Sequence, residues 1–337
     1  MKTNSSRTPL WALVAFVAVY TIALGFGWLR QTPSQEELYG DVGRFIAEFG
    51  GMFGNGGFSW WGPNFLQGQS NTPYFLSAFP LFFGTLFFYL FGDPEGIKIA
   101  ALAVIPAAAA TMFVFVRRLT GHDWTAVIAA ILYVLSAQIL LRIANFEHWM
   151  GSYSYIFPPL ILWAFLKIAA EGSWRASAWM AFAWSAMMLS YAKLTFMFAP
   201  MAAMFFVWLL LDRPERRVAL VRGTLVALAL VCLMAVILLL PLTREYQWVS
   251  AFTFDNFAGW QQAFSMKSFI SVLDRANGLL AQMRPDFVAD RGQFYLGLVT
   301  LFAVAAVFWW SRKHAEWLAT RNGVLLRLFV GMALLAL

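Results

Sequence analysis

The chain is poor in charge and almost free of cysteine. Only 12% of its 337 residues are Asp, Glu, Lys or Arg, about half the share of a soluble domain. An ordinary water-soluble fold is therefore excluded. The one cysteine, Cys232, lies inside an apolar run, which rules out a disulfide framework and a Cys-rich metal site. No phosphate-binding glycine loop is present either. The stretch Gly50–Gly57 lacks the Lys-Ser/Thr ending that holds a nucleotide, so ATP-driven chemistry within the chain is not expected. No Ser/His/Asp arrangement and no Cys pair stands in a suitable context.

What fills the chain is apolar sequence, 61% of all residues. A membrane span needs about 20 apolar residues, because the hydrocarbon layer is about 30 Å thick. Candidate blocks are 10–29, 73–92, 96–116, 123–141, 153–170, 174–192, 194–211, 218–242, 293–311 and 323–337. The expected fold is an all-α polytopic membrane bundle forming one module over 1–337. Lys2 and Arg7 precede the first block, which is too long for a signal-peptide core and is read as a retained span. Residues 324–337 run apolar to the last position, as if cut within a final helix of a longer parent. The net charge of +7 is no nucleic-acid signature, since the basic residues gather in short loops between apolar runs.

Those loops set the orientation. Lys2/Arg7, Arg117/Arg118, Lys167/Arg175, Arg213/Arg216/Arg217/Arg222 and Arg312/Lys313/Arg321 should all face the cytoplasm. If every block crosses, they do not. If block 73–92 does not cross, all of them do. That block is aromatic-rich and contains Pro73, Pro80 and Gly84, and Pro80 disfavours a continuous helix. It is expected to be re-entrant or to lie along the outer face. The alternative is a kinked ordinary span. The N-terminus is then cytoplasmic in a cell (inner) membrane. The polar segments 30–72, 142–152 and 244–292, with Lys193 at a tight turn, fall on the extracytoplasmic face. Polar, irregular sequence on one face and plain connectors on the other point to an outward-facing site.

Residues 35–49 place Leu38, Val42, Phe45, Ile46 and Phe49 at helical spacing with acids between them, the pattern of a helix lying on a membrane surface. Asp41 and Arg44 share one face; the bland alternative is a solvated surface pair. Trp60 and Trp61 fit interfacial anchors better than sugar-stacking platforms. Glu147 and His148 stand at a membrane boundary, where an ionised carboxylate is costly unless paired or used. Arg142 offers Glu147 a bland pairing. Glu147 with His148 could also bind a divalent ion, although two ligands without a third are a weak metal signal. Lys193 either snorkels to the headgroups or partners a lipid-linked phosphate. The loop 244–292 is long enough to form a lid, and no residue in it stands out.

The order of these pieces resembles the GT-C superfamily of membrane glycosyltransferases. The matching elements are Asp41 in the first outer loop, the segment Thr72-Pro73-Tyr74, the basic pair in Arg117-Arg118-Leu-Thr-Gly121, Glu147 after the next span, and Leu189-Ser-Tyr-Ala-Lys193. With Arg44, Trp61, Gly68, Tyr133-x-Leu-Ser136 and Phe146-Glu147 added, the chain looks most like the large arabinofuranosyltransferases of cell-wall assembly and related bacterial multi-span proteins. The resemblance covers roughly residues 10–240, and the order of its motifs carries it. Some branches hold Asp-x-Asp or Asp-Glu in the first loop, where this chain has Gly40-Asp41-Val42; their metal dependence does not transfer, and a divalent cofactor stays open. The resemblance implies inverting transfer of a sugar from a polyprenyl-phosphate donor to a glycan, lipid or protein acceptor. Asp41 would be the general base. Arg44 and Lys193 would stabilise the leaving phosphate, with Glu147, His148 and Trp61 in substrate binding. Membrane lipids surround the enzyme and no nucleic acid is involved. Two other classes compete: a transporter or flippase of lipid-linked saccharides, which would carry polar groups near the bilayer midplane, and a non-catalytic scaffold.

Overall fold

The computed structural model describes residues 8–29, 61–62, 69–70, 78–92, 95–136, 139 and 149–245. The described chain is helical apart from one antiparallel ladder, β1 (Trp61–Gly62) with β2 (Gln69–Ser70). Helix α1 is Thr8–Leu29, α2 Ala78–Phe91, α3 Glu95–Leu102, α4 Val104–Thr120 and α5 Asp123–Val134. A short α6 (Trp149–Ser152) leads through one 3₁₀ turn into α7 (Phe157–Glu171). Then come α8 (Trp174–Met188), α9 (Ala192–Asp212) and α10 (Arg217–Glu245). The stretches Thr8–Gly25, Lys98–Thr120, Tyr153–Glu171 and Pro214–Val236 are long and apolar enough to cross a membrane. They mark the chain as a membrane protein.

Each of the first eight apolar blocks falls on a helix, with differences at the ends that have local causes. Block 96–116 breaks at Ala103, because Pro106 has no N–H to donate to Leu102. Block 123–141 is interrupted: α5 stops at Val134, the chain turns through Ser136 N–H to Tyr133 O and Ile139 N–H to Ser136 O, and Ile139 is again helical. The end of the second outer loop is helical, in α6. Pro80 falls in the first turn of α2, where a helix has no carbonyl for its N–H and proline is tolerated.

The basic turns are built from their own sequence. Gly121 and Gly172 adopt left-handed φ of 74° and 62° and donate their N–H groups to Arg117 O and Ile168 O, which closes α4 and α7. Arg117 in the last turn of α4 pairs with Asp123 in the first turn of α5 at 2.7 Å. Each charge also suits the helix end it occupies. Arg118 reaches Glu171 at 4.0 Å across to α7. A Cβ on Gly172 would touch Ala219 of α10 at 3.5 Å, and Arg217 donates from Nε to Leu210 O of α9 at 2.7 Å. The ends of α4, α7 and α9 and the starts of α5, α8 and α10 therefore meet at one end of the bundle. Three of the arginine clusters that the charge rule demanded on one side are there. Lys2/Arg7 and Arg312/Lys313/Arg321 lie outside the described residues.

The opposite end is aromatic. Phe79 sets its ring edge-on to Phe157 at 5.0 Å and lies near Tyr153 and Phe182, while Phe83 stacks on Tyr153 at 5.9 Å. Such contacts are worth about 0.5–1.5 kcal/mol each beyond area burial. They pin the start of α2 against α7 and α8, and Phe79 N–H donates to Leu189 O. From there α2 runs antiparallel to α3: Gly96 sits against Phe87 and Phe88, and Tyr153, beside Phe83, hydrogen-bonds Ala100 O at 2.7 Å.

Elsewhere the helices meet through small residues. Ala100, Ala108, Ala126, Ala130, Ala164, Ala176 and Ala183 are fully buried, which lets backbones approach closely where no water drives association. Gly96 is the tightest point. A Cβ there would lie 2.4 Å from Phe87 O, a backbone atom that cannot swing aside. Alanine gains about 1 kcal/mol in helix propensity, less than the 1–3 kcal/mol or so of overpacking. Gly96→Ala should therefore lower the thermal midpoint of the detergent-solubilised protein. An unchanged or raised midpoint contradicts this packing.

Candidate functional site

Asp, Glu, Lys, Arg and His are absent from the middle of the described helices. None of them occurs in 99–116, 124–134, 149–166, 176–192 or 223–243. The exception at the edge is Lys98 in α3, whose side chain is 2% exposed and is among the largest fully buried ones. Glu95, exposed and one turn earlier, interacts with it electrostatically. An ammonium buried this far costs several kcal/mol unless it is compensated, so the position demands a reason.

Lys98 stands at the end of the bundle opposite the arginine turns. Other buried polar groups collect there. Ser152, Ser154 and Ser190 are buried. Ser154 donates to Gly151 O, Ser190 donates to Ala186 O, and Tyr133 donates to Tyr155 O. Tyr153, through Ala100 O, fastens α3 to the 3₁₀ turn. Thr85 of α2 is 6% exposed, and among the described residues its hydroxyl has no hydrogen-bond partner. The antiparallel register that sets Gly96 against Phe87 brings Thr85 to the level of Lys98 along the hairpin.

The residues singled out from sequence divide into two groups. Asp41, Arg44, Glu147 and His148 lie outside the described residues, as does the loop 246–292. The other two have backbone positions only. Trp61 is in β1, opposite Ser70. Lys193 is not in the turn itself but is the second residue of α9. Its helix starts at Tyr191, whose carbonyl accepts from Leu194 N–H at 3.1 Å and from Thr195 N–H at 3.3 Å. The preceding turn, 189–191, is the one that takes the Phe79 hydrogen bond. Block 73–92 and the Lys193 turn, distant in sequence, thus meet at the same end as Lys98. Among the described residues no group of three or more His, Cys, Asp or Glu could hold a metal ion.

Sequence reading passed over Lys98. The signal was available: it is the sole charge in block 96–116, and an ionisable residue inside an apolar block is a functional candidate by default. Thr85 had no such signal, because a threonine in an apolar helix is unremarkable until its hydroxyl is found unpaired.

No protein-family model matches the chain, and no curated protein or solved structure shows significant similarity to it.

Replacing a buried ammonium by an apolar group of similar length removes its desolvation cost, and Glu95, which is exposed, can be solvated in its absence. Lys98→Met should leave the thermal midpoint unchanged or raise it, which marks a charge kept for function. A fall of more than about 5 °C means that the charge is kept for folding.

Proposed function

We propose that the chain is a membrane glycosyltransferase of the GT-C type. It transfers a sugar from a polyprenyl-phosphate donor to an acceptor on the extracytoplasmic face. The observation that carries this reading is the distribution of acidic and basic side chains. The mid-bundle stretches hold none, the arginines gather at one end, and a buried lysine stands at the other. Transport of a polar saccharide through the bundle calls for polar groups at the midplane. Chemistry on a lipid-linked substrate calls for them at one membrane boundary. The arginine end is the cytoplasmic one in this reading, and the end with Lys98 and the start of α9 faces outward.

Block 73–92 does not cross the membrane in this reading. Helix α2 has 14 residues, about 21 Å at 1.5 Å per residue, against about 30 Å of hydrocarbon. It starts beside Leu189 and packs chiefly along α3, so α2 and α3 form a hairpin on the outer side. The hairpin and the start of α9 then lie on the side where the first outer loop is expected.

The chemistry follows from the resemblance in motif order. The Asp41 carboxylate takes the proton of the acceptor hydroxyl. That oxygen attacks the anomeric carbon from the face opposite the phosphate, and the bond from carbon to phosphate oxygen breaks. The polyprenyl phosphate leaves with the electron pair, and the configuration inverts. A carboxylate serves when partial burial brings its pKa toward neutrality. Cations offset the charge that develops on the leaving phosphate, a role for Arg44 and Lys193 that Lys98 can share. Glu147 and His148 position donor or acceptor or hold an ion, and Trp61 contributes to substrate binding.

Asp41→Asn keeps the shape of the side chain and removes the base. Transfer of radiolabelled sugar from a polyprenyl-phosphate donor in membranes should drop about 10²–10⁴-fold, with the amount of folded protein unchanged. Wild-type transfer by this variant would sink the assignment.

A further inference from the structure

Two lysines stand at the end of the bundle opposite the arginines, and they stand at one level. From Lys98 to Arg117 the α3–α4 stretch rises about 28 Å, and from Lys193 to Asp212 α9 rises about the same. Each rise matches the hydrocarbon thickness of about 30 Å. Both lysines therefore fall at the membrane boundary away from the arginine turns. The break at Ala103 does not disturb the helical phase. Ala103 has φ −62° and ψ −18° and donates to Ile99 O at 2.9 Å.

The two differ in the face they occupy. A helix returns to one face every three or four residues. In the α3–α4 stretch Lys98 heads the stripe Ala101, Leu102, Ile105, Ala109 and Val116, all of it buried. The exposed positions Pro106, Ala110 and Val114 form another face. In α9, position 193 shares its face with Pro200, Ala203, Val207 and Leu211, all exposed. The buried face of α9, with Phe198, Ala202, Phe205 and Leu209, is the opposite one. A lysine above an exposed apolar stripe reaches the headgroups by snorkelling. Lys98 lacks that route, since it is 2% exposed. Helix α3 is also held by α2 at Gly96 and by the Tyr153 bond to Ala100 O.

Ionisable side chains within membrane segments face the bundle interior or a water-filled cavity, and they mark substrate and ion pathways. A cation at this end also runs against the bias that gathers basic residues at the other. The position calls for an anion at the boundary, over the bundle rather than in bulk lipid. We infer that Lys98 binds the phosphate of the lipid-linked donor. As the bond from the anomeric carbon to the phosphate oxygen breaks, the electron pair stays on that oxygen, and the ammonium offsets its charge. The inference rests on the glycosyltransferase reading for the identity of the anion, and it narrows the outer lysines to one. Lys193 is left as a headgroup anchor.

The test uses the purified chain in detergent and a short-chain polyprenyl phosphate, with the matching polyprenyl alcohol and phosphatidylglycerol as controls. Binding is read by microscale thermophoresis. The wild-type chain should bind the phosphate at least about fivefold more tightly than the alcohol. Lys98→Met should bind the two alike. Lys98→Gln, which keeps a polar head, should do the same, so the test survives a Met variant that fails to fold. Lys193→Met should keep the wild-type preference. In the sugar-transfer assay Lys98→Met should lower kcat/KM for the donor about 10²–10³-fold, with Lys193→Met near wild type. Equal binding of phosphate and alcohol by the wild-type chain overturns the inference in favour of a carboxylate of the chain itself. So does a preference that Lys98→Met retains, or one that only Lys193→Met loses. Phosphatidylglycerol that competes as well as the polyprenyl phosphate overturns it in favour of an unselective headgroup contact. A Lys98-dependent preference in a chain that transfers no sugar supports the site and overturns the glycosyltransferase reading instead.

Discussion

An arginine cannot be left in hydrocarbon, and the arrangement of this bundle follows from that constraint. The translocon-scale penalty is about 2.5–3.5 kcal/mol per residue at a helix centre. Arg117, Arg118, Arg175, Arg213, Arg216, Arg217 and Arg222 together would cost more than the whole stability of a typical domain. Every helix that ends or begins near them therefore does so at one end. The turns there are short and self-capped, by Gly121, Gly172 and Ser173, because a connector at that end has no other task. Once those turns are fixed, the other end receives whatever remains: the start of α2, the 3₁₀ turn before α7 and the start of α9.

The second constraint is close packing without water. Helices in lipid gain little from burying leucine against leucine. The contacts that hold this bundle are therefore small-residue approaches and aromatic edges. Gly96 lets α3 lie against the backbone of α2, and Gly223 lets α10 cross α7 and α8. The Phe79, Phe83, Tyr153, Phe157 and Phe182 group locks the end opposite the arginines.

Much of this was legible in the sequence. Eight apolar blocks covered nine of the ten described α-helices, and the charge rule put three arginine-bearing clusters on one side, as the fold does. Hydropathy sees only how apolar a segment is, so it missed what hydrogen bonding decides. It did not see the turn at Leu135 and Ser136 that ends α5 within block 123–141, because one serine hardly lowers the mean of an apolar block. It did not see the break at Ala103, because Pro106 acts through a missing donor rather than through polarity. It set Lys193 in a turn, whereas the turn is 189–191 and Lys193 opens α9. Lys98 was hidden for the opposite reason. One lysine hardly lowers the mean of a long apolar block, and only the burial of its side chain reveals that it is out of place. Asp41, Arg44, Glu147 and His148 remain arguments from motif order and lie outside the described residues.

The central claim is that the end with Lys98 faces outward and that α2 does not cross. Cysteine labelling reads both at once. With Cys232 replaced by alanine, Glu95→Cys and His122→Cys are tested separately in intact cells with a membrane-impermeant maleimide. Both positions are exposed and lie on either side of the α3–α4 stretch. The account predicts that Glu95→Cys reacts from outside and that His122→Cys reacts only after permeabilisation. The reverse pattern would mean that block 73–92 crosses and that the arginine turns face outward, which contradicts it.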